Sequence, residues 1–185
     1  RLGHSFSPRI HRLLGDYDYR LFEKEPEELD SFLRSGEFEG LNVTIPYKRA
    51  VIPYCRELTQ QARRIGSVNT LVRREDGTLL GHNTDYEGFL YMVRAAGVDP
   101  AGKKALVLGS GGASLTVRTA LADLGAEEVV VISRSGPDHY QNLERHQDAR
   151  LIVNATPVGM YPDTESCLLD LDRFPACEAV LDLIY

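Results

Sequence analysis

Ala105-Leu-Val-Leu-Gly109-Ser110-Gly111-Gly112-Ala113-Ser114 decides the fold. A short apolar run, a glycine-rich turn and a helix start follow one another in the order that a dinucleotide site requires. Gly109 permits the tight turn, Gly111 lets the backbone approach a pyrophosphate, and the helix start supplies free amides and a positive dipole end. Ser114 replaces the third glycine of the usual fingerprint. The next strand, predicted at residues 129–132, runs into Ser133-Arg134-Ser135. An NAD site usually carries a carboxylate there for the ribose hydroxyl. A guanidinium flanked by hydroxyls suits the 2′-phosphate of NADP instead.

Downstream of this loop the pattern alternates strand and helix: strand 105–108, helix 113–124, then strands 129–132, 151–153 and 180–184. The apolar runs are short, continuous and bounded by turns, as in strands covered on both faces of a parallel sheet. This predicts a doubly wound α/β architecture with about four strands, fewer than the six of the full version.

Upstream, elements come in mixed order: a strand at 19–22, a helix at 27–33, a strand at 41–44, and helices at 48–55 and 59–65. A hairpin follows, in which 68–73 and 78–81 flank Asp76-Gly77, read as a type I′ turn. A helix at 86–95 leads to Gly97-Val-Asp-Pro-Ala-Gly102, the best candidate boundary. The expectation is a mixed-sheet α/β domain over residues 1–99, then a Rossmann-like NADP-binding domain over 100–185, both incomplete. The chain starts at Arg1 without Met and stops just after a buried-looking strand, which reads as a fragment.

The 185 residues are 43% hydrophobic and 26% charged, which excludes disorder, collagen and disulfide scaffolds. A net charge of −6 argues against a general nucleic-acid binder, so an anionic ligand must be held by local cations, hydroxyls or amides. No apolar run approaches the ~20 residues of a membrane helix, and no signal pattern opens the chain. Cys55, Cys167 and Cys177 are odd in number and lack Cys-x-x-Cys spacing, so they read as reduced thiols in a cytoplasmic protein, with no metal site.

Several segments hold more hydroxyl, amide and charged groups than packing explains: His4-Ser5-Phe6-Ser7-Pro8, Asn42-Val-Thr44-Ile-Pro46-Tyr-Lys48, Val68-Asn69-Thr70 and Asn83-Thr84-Asp85. Each sits at a predicted strand end or helix start, where side chains can converge. Taken singly each has a plainer reading: Ser5 or Ser7 as an N-cap, Asn69 as a strand-edge amide, Asp85 as a helix cap, Lys48 as a surface ammonium.

Together with Gly81-His-Asn-Thr-Asp-Tyr-Glu-Gly, Asn154-Ala-Thr-Pro-Val-Gly-Met and Asp182-Leu-Ile-Tyr, these strings resemble shikimate dehydrogenases in order and approximate spacing over essentially the whole chain. The resemblance implies NADPH-dependent reduction of 3-dehydroshikimate to shikimate in aromatic amino acid biosynthesis, in a cleft between a substrate domain and an NADP domain. It implies that Ser5 and Ser7 bind the substrate carboxylate, and that Thr44, Asn69 and Asp85 meet the ring hydroxyls. Lys48 resembles the family's acid and base, with Asp85 as its partner, and Tyr185 matches a substrate contact. For the cofactor it implies Gly109, Ser110, Gly111, Gly112 and Ala113 at the pyrophosphate, Ser133, Arg134 and Ser135 at the adenosine phosphate, and Thr156 and Leu183 near the nicotinamide. The implied partner is a small molecule, with neither nucleic acid nor membrane, and the protein is a monomer or homodimer.

Three departures accompany the resemblance. The connection from Arg134 to residue 151 is too short for the usual helix and extra strand, and it lacks a second basic residue. His139 and His146 within it are read as members of a solvated helix rather than as ligands. A first strand ahead of His4 and the elements after Tyr185, with a glutamine ligand, are missing. A quinate and shikimate dehydrogenase is the near alternative, and a non-catalytic nucleotide-binding fragment is the alternative of another class.

Overall fold

The structure is a computed structural model that describes residues 2, 3 and 5–184. The chain forms two compact units, Arg1–Phe38 and Glu39–Tyr185. In the first, α1 (Ser7–Leu14) starts at Ser7 with Pro8 in its first turn, where a missing N–H costs nothing. His11 stacks on Tyr19 with centroids 3.9 Å apart, and its Nδ1 lies 2.7 Å from the Tyr17 hydroxyl. The helix α2 (Leu29–Ser35) buries Leu33 and ends at Gly36, whose φ of 73° is the left-handed cap. Residues 19–22, predicted as a strand, form none. Extended backbone becomes a strand only where a neighbouring strand completes its ladder.

The second unit contains two sheets. The first is mixed and is built from β1 (Gly40–Asn42), β2 (Glu57–Leu58), β3 (Thr70–Arg73) and β4 (Leu79–His82), in the order β1-β3-β4-β2. β1 and β3 are antiparallel, as are β3 and β4, while β2 runs parallel to β4. The hairpin stands as predicted, but its turn does not. Gly77 alone in that turn has positive φ, at 81°, and its N–H donates to the Arg74 carbonyl. That is a type I turn closed by a left-handed glycine rather than type I′, which would need positive φ at Asp76 as well. The helix predicted over 48–55 is a series of turns with one 3₁₀ turn at Ile52–Tyr54, since Pro53 cannot supply an amide to an α-helical ladder. Next, α3 (Gln60–Ile65) is capped by Thr59, whose hydroxyl accepts from the Ala62 N–H.

The second sheet is wholly parallel and is built from β5 (Lys104–Leu108), β6 (Glu128–Ile132), β7 (Leu151–Asn154) and β8 (Ala179–Asp182), in the order β6-β5-β7-β8. Its strands alternate faces with period two. Ala105, Val107, Leu151 and Val153 pack with Phe89 and Val93 of α4 (Asp85–Ala95) and with Val117 and Leu121 of α5 (Gly112–Asp123). Leu106, Leu108, Ile132 and Ile152 face the other way, onto Leu143 and Phe174. The sheet is covered on both sides, as its apolar runs predict. The predicted boundary at 99/100 falls in the connection between α4 and β5, inside the second unit.

Candidate active site

Lys48 follows the turn of residues 44–47, in which the Tyr47 N–H donates to the Thr44 carbonyl. Its own carbonyl accepts from the Val68 N–H at 2.7 Å, tying this segment to the approach of β3. The ammonium donates to Asp85 Oδ2 at 2.5 Å, with the lysine side chain only 16% exposed and the aspartate 38%. Asp85 is the first residue of α4, directly after β4 and a two-residue turn, so strand and helix together fix its carboxylate.

Asn69 holds the other oxygen of that carboxylate. Its Nδ2 donates to Asp85 Oδ1 at 2.8 Å and to Thr84 Oγ1 at 2.9 Å, and its Oδ1 accepts from the Thr84 N–H and the Thr70 hydroxyl. With 8% exposure, Asn69 has both ends satisfied. Lys48, Asn69 and Asp85 thus form one connected group. Thr44 is exposed, and no hydrogen bond of its side chain joins it to them among the described residues.

The glycine loop reaches the same place. Gly109 has φ +103°, and a Cβ there would fall 2.9 Å from Thr156 Cγ2 and 3.1 Å from the Ala155 carbonyl oxygen. Both its conformation and its close approach to the loop after β7 require glycine. Gly111 has open space where a Cβ would stand, and both Ser110 and Gly111 are exposed at the start of α5. Gly112 is different: its Cβ would lie 3.3 Å from Lys48 Cβ and Cδ and 3.1 Å from Ser67 Oγ. The first residue of α5 therefore packs directly against the stem of Lys48.

A buried amide braces this contact. Asn83, fully buried, donates through Nδ2 to the Ser67 carbonyl at 2.9 Å and to Thr116 Oγ1 of α5 at 3.2 Å, while its Oδ1 accepts from the Tyr86 N–H. Asn83 was visible only as part of a polar string. Its role needed the position of α5, which lies distant in sequence.

On the other side of the loop, Asn154 ends β7. Its Oδ1 accepts from the Thr156 N–H and hydroxyl, and its Nδ2 donates to the Val158 carbonyl and to Asp182 Oδ1. The Leu183 N–H donates to the Asn154 carbonyl. Asn154 therefore holds Thr156 through its side-chain amide and Leu183 through its main-chain carbonyl. The Asn-Ala-Thr spacing of an Asx-turn is the local signal for it.

Ser133 directly follows β6 and is buried, with Arg134 and Ser135 exposed beyond it. His146, expected on a solvated helix, is 7% exposed in a 3₁₀ turn, and its Nε2 lies 2.9 Å from Asp138 Oδ1. In place of the expected helix the connection holds only this 3₁₀ turn. Burial of His146 follows from Leu143 and Ala149 on either side of it joining the core.

In the first unit, Ser5 Oγ accepts from the Ser7 N–H at 3.3 Å, but the N-cap of α1 is Phe6 and no side chain caps the helix, so neither Ser5 nor Ser7 is the N-cap. Tyr185, expected to contact substrate, lies outside the described residues. Cys55, Cys167 and Cys177 are free, and burial pushes the thiols of Cys55 and Cys177 up from their ordinary range. No group of side chains able to hold a metal ion occurs among the described residues, and none of their helices is long and apolar enough to cross a membrane.

A dinucleotide fits what the loop offers: open space at Gly111, a helix start whose first amides have no cap from a side chain, and a buried Ser114 hydroxyl without a hydrogen-bond partner among the described residues.

Comparison with known proteins finds relatives over nearly the whole chain. A family profile described as the shikimate dehydrogenase substrate binding domain matches residues 1–71. A protein of Methanopyrus kandleri named shikimate dehydrogenase (NADP(+)) is 39% identical over 214 aligned positions, covering 98% of this chain and 73% of that protein. The crystal structure of shikimate dehydrogenase 1 from Peptoclostridium difficile superposes with a TM-score of 0.90 at 36% identity, over 100% of this chain and 75% of the other. Shikimate 5-dehydrogenase from Thermus thermophilus, solved with NADP(H) and shikimate, gives 0.85 at 36% identity, over 100% of this chain and 76% of the other.

Proposed function

The chain belongs to the shikimate dehydrogenase family, and from that premise we propose that it reduces 3-dehydroshikimate to shikimate with NADPH, using Lys48 as proton donor. The observation that carries this reading is the Lys48–Asp85 pair, at 2.5 Å, lying against the first residue of the glycine-loop helix. We assign residues 1–99 to the substrate domain and 100–185 to the nucleotide domain, and place the protein in the cytoplasm.

NADPH, when bound, supplies the hydride. Ser110, Gly111, Gly112 and Ala113 would turn backbone amides to its pyrophosphate around the turn at Gly109, whose own N–H donates to the Ile132 carbonyl; Ser133, Arg134 and Ser135 would take the 2′-phosphate, and Thr156 and Leu183 would stand toward the nicotinamide. A ketone that is being reduced develops alkoxide charge on its oxygen. An ammonium there both stabilises that charge and delivers the proton, leaving a neutral amine at Lys48 Nζ.

Asp85 pairs with the Lys48 ammonium at 2.5 Å, and burial of the lysine stem keeps that ammonium directed. Asn69 fixes the carboxylate by its second oxygen, so one carboxylate oxygen faces Lys48 and the other is held away. In this proposal Thr44, Asn69 and Asp85 bind ring hydroxyls, and Ser5 and Ser7 bind the carboxylate of the substrate. A site built of such groups rejects an analogue lacking a hydroxyl more strongly than an apolar pocket could.

The test is an initial-rate panel of shikimate and quinate, each with NADP and NAD. The expected result is fastest turnover, by kcat/KM, for shikimate with NADP. Preferred turnover of quinate with NAD contradicts the proposal.

A further inference from the structure

The connection between β6 and β7 carries Ser133, Arg134 and Ser135, yet its only regular structure is the 3₁₀ turn Leu143–His146. Such a short, largely irregular segment needs something to hold it. The Ser133 N–H donates to the Asp138 carbonyl at 3.1 Å, closing the stretch 133–138 into a loop with Arg134 and Ser135 at its exposed tip. The loop is tight enough that a Cβ on Gly136 would lie 2.7 Å from Ser133 Oγ and 3.4 Å from the Asp138 carbonyl oxygen.

The base of the loop is anchored from inside. Asp138 Oδ1 lies 2.9 Å from Nε2 of buried His146. His146 Nδ1 is also buried and has no hydrogen-bond partner among the described residues, whereas Nε2 faces Asp138. Asn142 backs the same turn, its Oδ1 accepting from the His139 N–H and its Nδ2 donating to the Pro137 carbonyl. The pair has a second consequence. A carboxylate four residues beyond Arg134 would repel a 2′-phosphate and compete for the guanidinium, and its hydrogen bond to an inward imidazole turns it from both.

We propose that Asp138 and His146 are positioning residues that set NADP over NAD preference by holding the Ser133-Arg134-Ser135 loop in place and keeping the Asp138 carboxylate turned inward. This rests on the reading of that loop as the 2′-phosphate site. Neither residue is assigned a contact with the cofactor; both act through Ser133 and Arg134.

The experiment compares KM for NADPH and for NADH in the full chain carrying Asp138→Ala, Asp138→Asn, His146→Ala or Arg134→Ala. Losing one hydrogen bond of about 1.4 kcal/mol corresponds to about a tenfold rise in KM for NADPH, expected in Asp138→Ala and His146→Ala, with KM for NADH within about twofold of wild type. Asp138→Asn keeps the acceptor oxygen, and its KM for NADPH is expected to return toward wild type. A general loss of structure would raise both constants together, and that result, or an unchanged NADPH constant, overturns the proposal. Where Asp138→Ala does not fold, His146→Gln, which keeps a donor, against His146→Ala, which removes it, gives the same contrast. Arg134→Ala separates the two levels. If it leaves the NADPH to NADH ratio unchanged, the reading of the loop fails; if it alters the ratio while Asp138→Ala does not, only the positioning role fails.

Discussion

At Gly112 a single hydrogen in place of a methyl sets how closely α5 approaches Lys48. A Cβ there would press on two carbons of the lysine stem at 3.3 Å, so Gly112→Ala must displace the side chain by a few tenths of an ångström. Because misplacement of reacting groups is penalised steeply, kcat is expected to fall about tenfold. Alanine is a better helix former than glycine by up to ~1 kcal/mol, so the melting temperature is expected to hold or rise. Measuring both distinguishes a misplaced lysine from a damaged fold. The sequence shows Gly112 only as one more glycine of a phosphate loop. Its contact with Lys48 joins residues 64 positions apart in the chain, and no local pattern encodes that. The convergence of Lys48, Asp85 and Asn69 was legible because each sits in a polar string at an element end, where side chains can meet.

At the scale of elements, legibility followed the strength of the local pattern. The parallel sheet was readable because continuous apolar runs between turns leave little choice of conformation. Residues 48–55 were misread as helix, since their apolar residues suit helical spacing while Pro53 denies the ladder an amide. The two-residue strand β2 was missed altogether, being too short to show alternation. It pairs with β4 beside Gly81, where a Cβ would meet Leu58 Cδ2 at 2.7 Å, Cys55 Sγ at 2.8 Å and Val68 Cγ2 at 3.0 Å. Gly81→Ala therefore overpacks the junction of β2 and β4. The expected cost is about 1–3 kcal/mol in a denaturant titration. A midpoint equal to wild type would mean that β2 moves aside freely.

Across the second unit, a polar clasp joins three helices. Asp123 at the end of α5 accepts from the Tyr86 hydroxyl of α4 at 2.5 Å and pairs with Arg64 of α3. The Tyr86 hydrogen bond holds the Asp123 carboxyl below the usual aspartate range; burial opposes it, and Arg64 adds to the lowering. A depressed carboxyl stabilises the fold above its unfolded pKa and loses that contribution as pH falls through the folded one. The same hydrogen bond holds the Tyr86 hydroxyl above its ordinary range, so its contribution is present below the unfolded tyrosine pKa and fades as pH rises through the folded one. Wild type is accordingly expected to melt above Asp123→Asn at neutral pH, with the gap closing in acid below the aspartate range. A gap that persists there would place the stabilisation elsewhere. None of the three residues stood out in the sequence, because each is an ordinary helix-surface charge or hydroxyl until the helices meet.

The proposed reaction turns on Lys48 delivering the proton beside a bound NADPH. The most direct measurement is the turnover of Lys48→Ala set against its affinity for NADPH. Removal of the general acid and the charge that stabilises the alkoxide predicts a fall in kcat of about 10³-fold, within the range such groups supply, with the dissociation constant for NADPH within about twofold of wild type. Turnover within about tenfold of wild type would contradict it, since the proton would then come from another group.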